Sequence, residues 1–192
     1  MELLEQRILR DGRVYPGNVL KIDSFLNHQV DIGLCGALAD EFVRLFGRGA
    51  TKVLTVEASG IVLACLVADR LGVPMLFAKK QKHSNVDGGL YTAEVHSYTT
   101  DTVCTIAVCA DYLSADDRVL VIDDFLARGQ AALGLAELVR QAGATLVGCG
   151  FAVEKGFQDG GATLRARGVH VESLAIVDEM REDGFLRFRR QN

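Results

Sequence analysis

This chain of 192 residues is poor in the features that mark linkers, disulfides and zinc sites. It has only two prolines and no Ser/Pro-rich tract or internal repeat, so we expect one domain spanning residues 1–192. Its five cysteines are scattered without a Cys-x-x-Cys pair, which predicts neither a disulfide framework nor a metal site built by the protein. A hydrophobic content of 49% is sufficient for one buried core.

Long apolar runs and blocks of positive charge are absent as well. The longest apolar run covers residues 61–68, whereas a helix needs about 20 apolar residues to cross a bilayer. Glu2 and Glu5 stand where a secretory signal would be basic, so we expect a cytoplasmic protein that does not contact a membrane. The formal net charge of −4 argues against nucleic-acid binding, which would need a basic face.

Segments with helical spacing alternate with short continuous apolar runs, which predicts an α/β fold with a parallel sheet. Helices are predicted at residues 34–46, 61–71 and 130–142, and strands at 52–56, 73–78, 104–110, 119–122, 146–153 and 169–176, with a terminal hairpin near 183–184. No Gly-x-Gly-x-x-Gly follows the first strand, so a dinucleotide-binding oxidoreductase is not predicted.

Residues 119–131 combine a buried strand, two acids and a small-residue turn. The strand at 119–122 is apolar without alternation, which predicts that both of its faces are covered. Asp123 and Asp124 follow where open α/β sheets bind ligands, and adjacent carboxylates suit the vicinal hydroxyls of a ribose. The next turn opens a helix whose free N–H groups can hold a phosphate; it comprises Ala127, Arg128, Gly129, Gln130 and Ala131.

A second strand-turn-helix unit contains Glu57, Ser59 and Gly60. The Ser59 hydroxyl and the backbone donors suit an oxyanion such as pyrophosphate, although taken alone this loop fits an ordinary helix N-cap. A basic segment begins at Lys79 and Lys80 and continues into a glycine-rich stretch. Its charge fits either a solvated loop or a loop that closes over an anion.

Together these segments resemble the phosphoribosyltransferase family, whose signature is a hydrophobic strand followed by two acids and a small-residue loop. The resemblance implies a type I fold, in which helices flank a parallel twisted sheet and a small hood is built from the N-terminal segment and C-terminal strands. It also implies that Asp123 and Asp124 bind the ribose hydroxyls of phosphoribosyl pyrophosphate and that residues 127–131 bind its 5′-phosphate. Arg128 departs from the small polar residue usual in the family loop, so the role of its side chain stays open.

The same resemblance assigns the pyrophosphate end of the donor to Glu57, Ser59 and Gly60. The segment that begins at Lys79 and Lys80 resembles the family's hood loop, which closes over the donor, neutralises the leaving pyrophosphate and excludes water.

The acceptor site is predicted from two residues that follow the strand at 146–153, namely Lys155 and Phe157. In purine-using members of the family, a lysine so placed donates to the oxygen at purine position 6 and a nearby aromatic ring stacks on the base. A lysine donor matches an oxo group and opposes an amino group, so a 6-oxopurine is expected rather than adenine. The resemblance further implies that Leu20 and Asn27 contact the base. Without the resemblance, Asn27 would be interpreted as an N-terminal helix cap.

The activity implied by the resemblance is transfer of the phosphoribosyl group to N9 of xanthine, with Mg²⁺ carried by the donor's diphosphate and ribose oxygens and no metal held by the protein alone. A homodimer is implied as well. Physical reasoning leaves open a preference for guanine or hypoxanthine over xanthine. It also leaves open a regulatory protein that senses phosphoribosyl pyrophosphate without catalysis.

Overall fold

The protein is described by a computed structural model that covers residues 1–81, 89–97 and 102–191. Its helices are α1 (Glu2–Asp11), α2 (Ile32–Phe46), α3 (Ile61–Leu71), α4 (Gln130–Gln141) and α5 (Gly160–Ala166), with short π- and 3₁₀-helical turns at Asp23–Asn27 and Ala110–Tyr112. Its strands are β1 (Arg13–Tyr15), β2 (Val19–Lys21), β3 (Lys52–Val56), β4 (Met75–Gln81), β5 (Leu90–Ser97), β6 (Thr102–Cys109), β7 (Arg118–Leu126), β8 (Thr145–Lys155), β9 (Val171–Met180) and β10 (Leu186–Phe188).

The described strands form one large mixed sheet and one small hairpin. The large sheet has the order β10-β9-β8-β7-β3-β4-β6-β5, in which the five central strands from β9 to β4 run parallel. At its edges β10, β6 and β5 pair antiparallel with their neighbours. The α/β class with a mostly parallel sheet is confirmed, whereas the strand predicted at 104–110 is antiparallel because it returns directly from β5.

Both faces of the sheet are covered, as the apolar run in β7 predicts. Leu120 and Ile122 pack in the core formed with α2 and α3. Val119 and Val121 point to the other face and pack in the core formed with α4 and the β5–β6 pair. The side chains of a strand alternate between faces, so a strand buried on both sides carries no polar residue until its ligand-binding end.

The parallel strands bring three loops to one edge of the sheet. β3, β7 and β8 all end there, so the loops that follow them lie side by side. The β1–β2 hairpin, which forms a separate sheet, reaches this edge through its turn, since Lys155 Nζ donates to the carbonyl oxygen of Asn18 at 2.9 Å. The C-terminal strand β10 lies at the edge of the large sheet beside β9. Within the described ranges, no helix combines the length and apolar character needed to span a membrane.

Candidate active site

The acid pair lies near the carboxyl end of β7 and is almost fully buried, with Asp123 6% and Asp124 5% exposed. Asp124 accepts hydrogen bonds from Asn27 Nδ2 at 2.6 Å and from Ser59 Oγ at 2.9 Å. Asp123 accepts from the backbone N–H of Asp124 at 2.9 Å. The carboxylate of Asp124 is therefore oriented by side chains from two other loops, which fixes where a hydroxyl partner can sit.

The two acids cannot ionise independently. Burial, followed by the negative charge of Asp124, raises the pKa of Asp123 well above its usual range, and the positive charge of Lys80 opposes this only in part. A raised pKa favours the protonated form of Asp123, which could donate to one hydroxyl of a vicinal diol while Asp124 accepts from the other. Strong perturbation of this kind is typical of functional sites.

The 57–60 loop packs directly against the acid pair. A Cβ at position 60 would collide with the hydroxyl of Thr55 and would lie 2.5 Å from Asp123 Oδ1, so only glycine fits there. Ser59 does not cap α3, whose N-cap is Gly60, but donates to Asp124 instead. Glu57 Oε1 accepts from the backbone N–H of Lys80 at 2.6 Å, and the peptide bond between Glu57 and Ala58 is cis.

The 127–131 turn connects β7 to α4 and needs glycine at one position. Gly129 has a φ of 75°, a left-handed conformation that favours glycine, and α4 begins at the next residue. Gly160, at the start of α5, packs against this turn, and its N–H donates to the carbonyl oxygen of Ala127 at 3.2 Å. A Cβ at position 160 would lie 2.6 Å from the Gly129 nitrogen, so this support also requires glycine. This conformation leaves the first backbone N–H groups of α4 outside the helical hydrogen-bond pattern, where an anion can accept from them.

A cavity of about 420 Å³ opens beside this turn. Its lining includes all five residues of the 127–131 turn, Lys80 from β4, Phe125 from β7, Lys155 and Gln158 from the end of β8, and the hairpin residues Gly17, Asn18 and Val19. Lys155 Nζ lies 5.7 Å from the centre of the Phe125 ring. Burial lowers the pKa of Lys155, and a bound acceptor oxygen would counteract this by favouring the charged ammonium. The cavity thus joins an anion turn to a half-buried cationic donor.

Nine predicted site residues lie outside the lining of this cavity: Asp123, Asp124, Glu57, Ser59, Gly60, Leu20, Asn27, Lys79 and Phe157. Leu20 is 5% exposed and belongs to the core, and Asn27 is bonded to Asp124. Phe157 is 39% exposed. Lys79 precedes Lys80 in β4 and therefore points to the opposite face, where its ammonium lies 5.9 Å from the centre of the Phe77 ring. The rest of the predicted hood loop, residues 82–88, falls outside the described residues.

Several residues that line the cavity were not predicted from the sequence, among them the Gly17–Asn18 turn, Phe125 and Gln158. The turn had a usable signal, because Pro16, Gly17 and Asn18 form a typical hairpin connection, and both Gly17 and Asn18 have positive φ. Phe125 and Gln158 carried no such signal, since their place in the cavity depends on how β7 and β8 pair.

Comparison with known proteins agrees with this geometry. A family model described as "Phosphoribosyl transferase domain" matches residues 21–166. The xanthine phosphoribosyltransferase of Ruminiclostridium cellulolyticum is 53% identical over 189 residues, covering 98% of this chain and 99% of that protein. The enzyme of the same name from Lactobacillus delbrueckii subsp. bulgaricus is 57% identical over 180 residues, covering 93% and 95%.

Solved structures show the same fold at lower identity. The adenine phosphoribosyltransferase of Rhodothermus marinus matches with a TM-score of 0.73 and 25% identity, covering 91% of this chain and 98% of that one. The Trypanosoma brucei adenine phosphoribosyl transferase, solved with AMP, pyrophosphate and ribose-5-phosphate, matches with a TM-score of 0.74 and 20% identity over 90% of this chain and 78% of that one. From its family match and its near full-length relatives, the chain belongs to the phosphoribosyltransferase family.

Proposed function

We propose that this chain transfers the 5-phosphoribosyl group of phosphoribosyl pyrophosphate to N9 of xanthine, giving xanthosine 5′-monophosphate and diphosphate. One observation carries the proposal: a buried acid pair, an anion turn and a half-buried lysine lie at one edge of the sheet, and the turn and the lysine line one cavity. Relatives with more than half of their residues identical are named for this activity.

The donor would occupy the end nearest β7. Asp123 and Asp124 would bind the ribose hydroxyls, and the N–H groups of residues 127–131 would bind the 5′-phosphate. The pyrophosphate would lie against Glu57, Ser59 and Gly60, with Lys80 supplying positive charge as the leaving group departs. We expect the exposed guanidinium of Arg128, at the mouth of the cavity, to add charge near the 5′-phosphate.

The acceptor would enter beside Lys155, whose ammonium donates to the oxygen at purine position 6. The family resemblance also assigns Leu20, Asn27 and Phe157 to the base. For these residues to contact it, the base would have to bind toward the β1–β2 hairpin and the open rim of the cavity. Purine N9 then forms a bond to the anomeric carbon as the bond to the diphosphate oxygen breaks, and the N9 proton passes to the leaving diphosphate or to water. No nucleophile from the protein is needed, so the chain acts by positioning and charge stabilisation.

The donor set fits a metal carried by the substrate. Across the described ranges, no three His, Cys, Asp or Glu side chains are grouped closely enough to hold an ion by themselves. Mg²⁺ would therefore take most of its ligands from the diphosphate and ribose oxygens and from water, with the acid pair oriented toward the ribose. When bound, Mg²⁺ supplies positive charge to the leaving diphosphate.

We further propose that the whole chain acts as one catalytic domain, works in the cytoplasm as a homodimer, and binds neither nucleic acid nor membrane. The net charge of −4 and the family resemblance support this picture. Sedimentation of the purified protein at micromolar concentration should give the mass of two chains, and a monomer would contradict the homodimer.

The activity is tested by diphosphate release from phosphoribosyl pyrophosphate with xanthine, guanine or hypoxanthine, with and without magnesium. We expect magnesium-dependent release with xanthine. Release only with guanine or hypoxanthine would identify a related 6-oxopurine transferase. Donor binding without release, together with salt-dependent DNA binding, would instead indicate a sensor.

A further inference from the structure

A β-turn at the end of β8 places two complementary groups side by side in the cavity. The backbone N–H of Gln158 donates to the carbonyl oxygen of Lys155 at 2.9 Å, which closes a four-residue turn. The first and last residues of such a turn are close in space, and both Lys155 and Gln158 line the cavity. Phe157, between them, does not.

This turn is rigidly attached to the sheet. The N–H of Gly156 donates to the carbonyl oxygen of Val177 in β9 at 2.8 Å. A Cβ at position 156 would lie 2.6 Å from Asp178 Oδ1 and 2.7 Å from Ile176 Cγ2, so the turn sits against β9 with no room to shift. Arg189 clamps the same corner through its 2.6 Å bond to Asp178. The backbone positions of Lys155 and Gln158 are therefore set before any ligand binds.

The side-chain oxygen of Gln158 is buried and has no hydrogen-bond donor among the residues that the structure describes. Buried acceptors in folded proteins are nearly always satisfied, so an orphan oxygen on a residue that lines a ligand cavity indicates a donor that arrives with the ligand. Rotation of the terminal amide of Gln158 would bring this covered oxygen to the cavity surface, where a ligand can donate to it.

Donor and acceptor side by side match one edge of a 6-oxopurine. On that edge the oxygen at position 6 accepts and the adjacent N1–H donates, whereas adenine presents the reverse pattern of an amino donor and an N1 acceptor. We propose that Gln158 is a specificity-determining residue, which accepts a hydrogen bond from N1–H of the base while Lys155 donates to the 6-oxo group. This inference rests on the proposed function and adds to it the second half of base recognition.

The predicted base contact Asn27 does not fill this role in the structure. Its amide nitrogen donates to Asp124 at 2.6 Å, which ties it to the ribose-binding acids. Gln158, by contrast, lines the cavity and belongs to the same β-turn as Lys155. Its side-chain oxygen accepts no hydrogen bond from the residues that the structure describes.

The test compares wild type with Gln158→Leu, which keeps the size but removes the acceptor, and Gln158→Glu, which keeps an acceptor. Gln6→Leu, on the exposed face of α1, is the matched control. Steady-state rates are measured with xanthine and with 1-methylxanthine, which lacks N1–H. We expect Gln158→Leu to lower kcat/KM for xanthine roughly 10–100-fold, in line with one lost hydrogen bond in a buried site. KM for phosphoribosyl pyrophosphate should be unchanged, and Gln158→Glu should recover part of the loss.

The methylated base separates recognition from a structural role. Wild type should strongly prefer xanthine over 1-methylxanthine, and Gln158→Leu should lose most of that preference, because it has no acceptor left to satisfy. An equal preference in the two proteins would overturn the proposal. If wild type releases no diphosphate with any 6-oxopurine, the proposed function itself fails, whereas an active wild type with unaltered Gln158→Leu selectivity rejects only the role of Gln158.

Discussion

The ends of β7 and β8 are neighbours in the sheet, and each carries a buried carboxyl group in a different state. Asp123 on β7 has no hydrogen-bonded cation among the described residues, and burial together with Asp124 raises its pKa. Glu154 on β8 accepts two bonds from Arg165, at 3.0 and 2.9 Å, and one from Ser173 at 2.6 Å. Burial alone would raise the pKa of Glu154, but these hydrogen bonds outweigh it and hold the pKa below its usual range.

The contrast distinguishes a ligand site from a scaffold. A buried carboxyl without a compensating cation costs stability, and it persists where a ligand needs it. A buried carboxyl with a bidentate arginine holds elements together: Arg165 belongs to α5, and the start of α5 supports the 127–131 turn through Gly160. The acid pair on β7 is thus expected to act on the donor, while Glu154 keeps the phosphate turn in place.

The largest effect is expected from Asp124→Ala. It removes a carboxylate that we assign to the ribose hydroxyls, and a hydrogen bond to a charged group contributes about 1.5–3 kcal/mol. We expect kcat/KM for phosphoribosyl pyrophosphate to fall roughly 10²-fold. Steady-state kinetics with saturating base measures this. The exposed acid Asp111 provides the control, and wild-type kinetics in Asp124→Ala would remove the assignment.

Lys155→Ala tests the charged residue that follows Glu154. Loss of the donor to the 6-oxo group should lower kcat/KM for xanthine roughly tenfold or more and should reduce the preference for xanthine over adenine. Donor affinity should change little. Kinetics with both bases measures the ratio; a variant that keeps the wild-type ratio would place base recognition elsewhere.

Arg165→Met should destabilise the protein by leaving Glu154 buried without its cation. Removing one partner of a buried pair costs about 3–5 kcal/mol, and we expect about 2 kcal/mol here because the Arg165 side chain is 39% exposed. Denaturant unfolding at pH 7 measures the change. Arg140→Met, which breaks an exposed pair with Glu137, should leave the free energy of unfolding unaltered.

The pH dependence of that stability has a defined sign. Because the folded pKa of Glu154 is depressed, its contribution is complete above its unfolded pKa of about 4.3 and is lost as pH falls through the folded pKa. In Arg165→Met this acid-side loss should shrink. An unchanged acid limb would show that the pair does not couple to folding.

Asp123→Asn should produce a smaller change of opposite sign. The folded pKa of Asp123 is raised, so the wild type loses stability as pH rises from its unfolded pKa of about 3.9 through the folded pKa. The asparagine variant avoids this loss, and we expect it to be more stable by about 0.5–2 kcal/mol at neutral pH and no more stable at pH 3. Unfolding at the two pH values measures this; a destabilised variant at pH 7 would contradict it.

Local sequence patterns predicted the elements that depend on local chemistry. The strand at 52–56 and the helix at 61–71 are found at the predicted bounds, and both faces of β7 are covered as its apolar run indicated. β5 was missed because Leu90 and Tyr91 were assigned to the basic loop, although Ala93 and Val95 are buried and alternate with exposed residues. The phosphate turn could be predicted, whereas its support by Gly160 depends on long-range packing.

The site at these strand ends is expected to transfer phosphoribosyl groups to 6-oxopurines, and a competition between bases measures this most directly. Equal concentrations of xanthine, hypoxanthine, guanine and adenine are offered with limiting phosphoribosyl pyrophosphate and magnesium, and the nucleotide products are separated and quantified. We predict xanthosine 5′-monophosphate as the main product, with adenosine 5′-monophosphate at least roughly 10²-fold lower. A mixture dominated by adenosine 5′-monophosphate, or no nucleotide at all, would contradict the account.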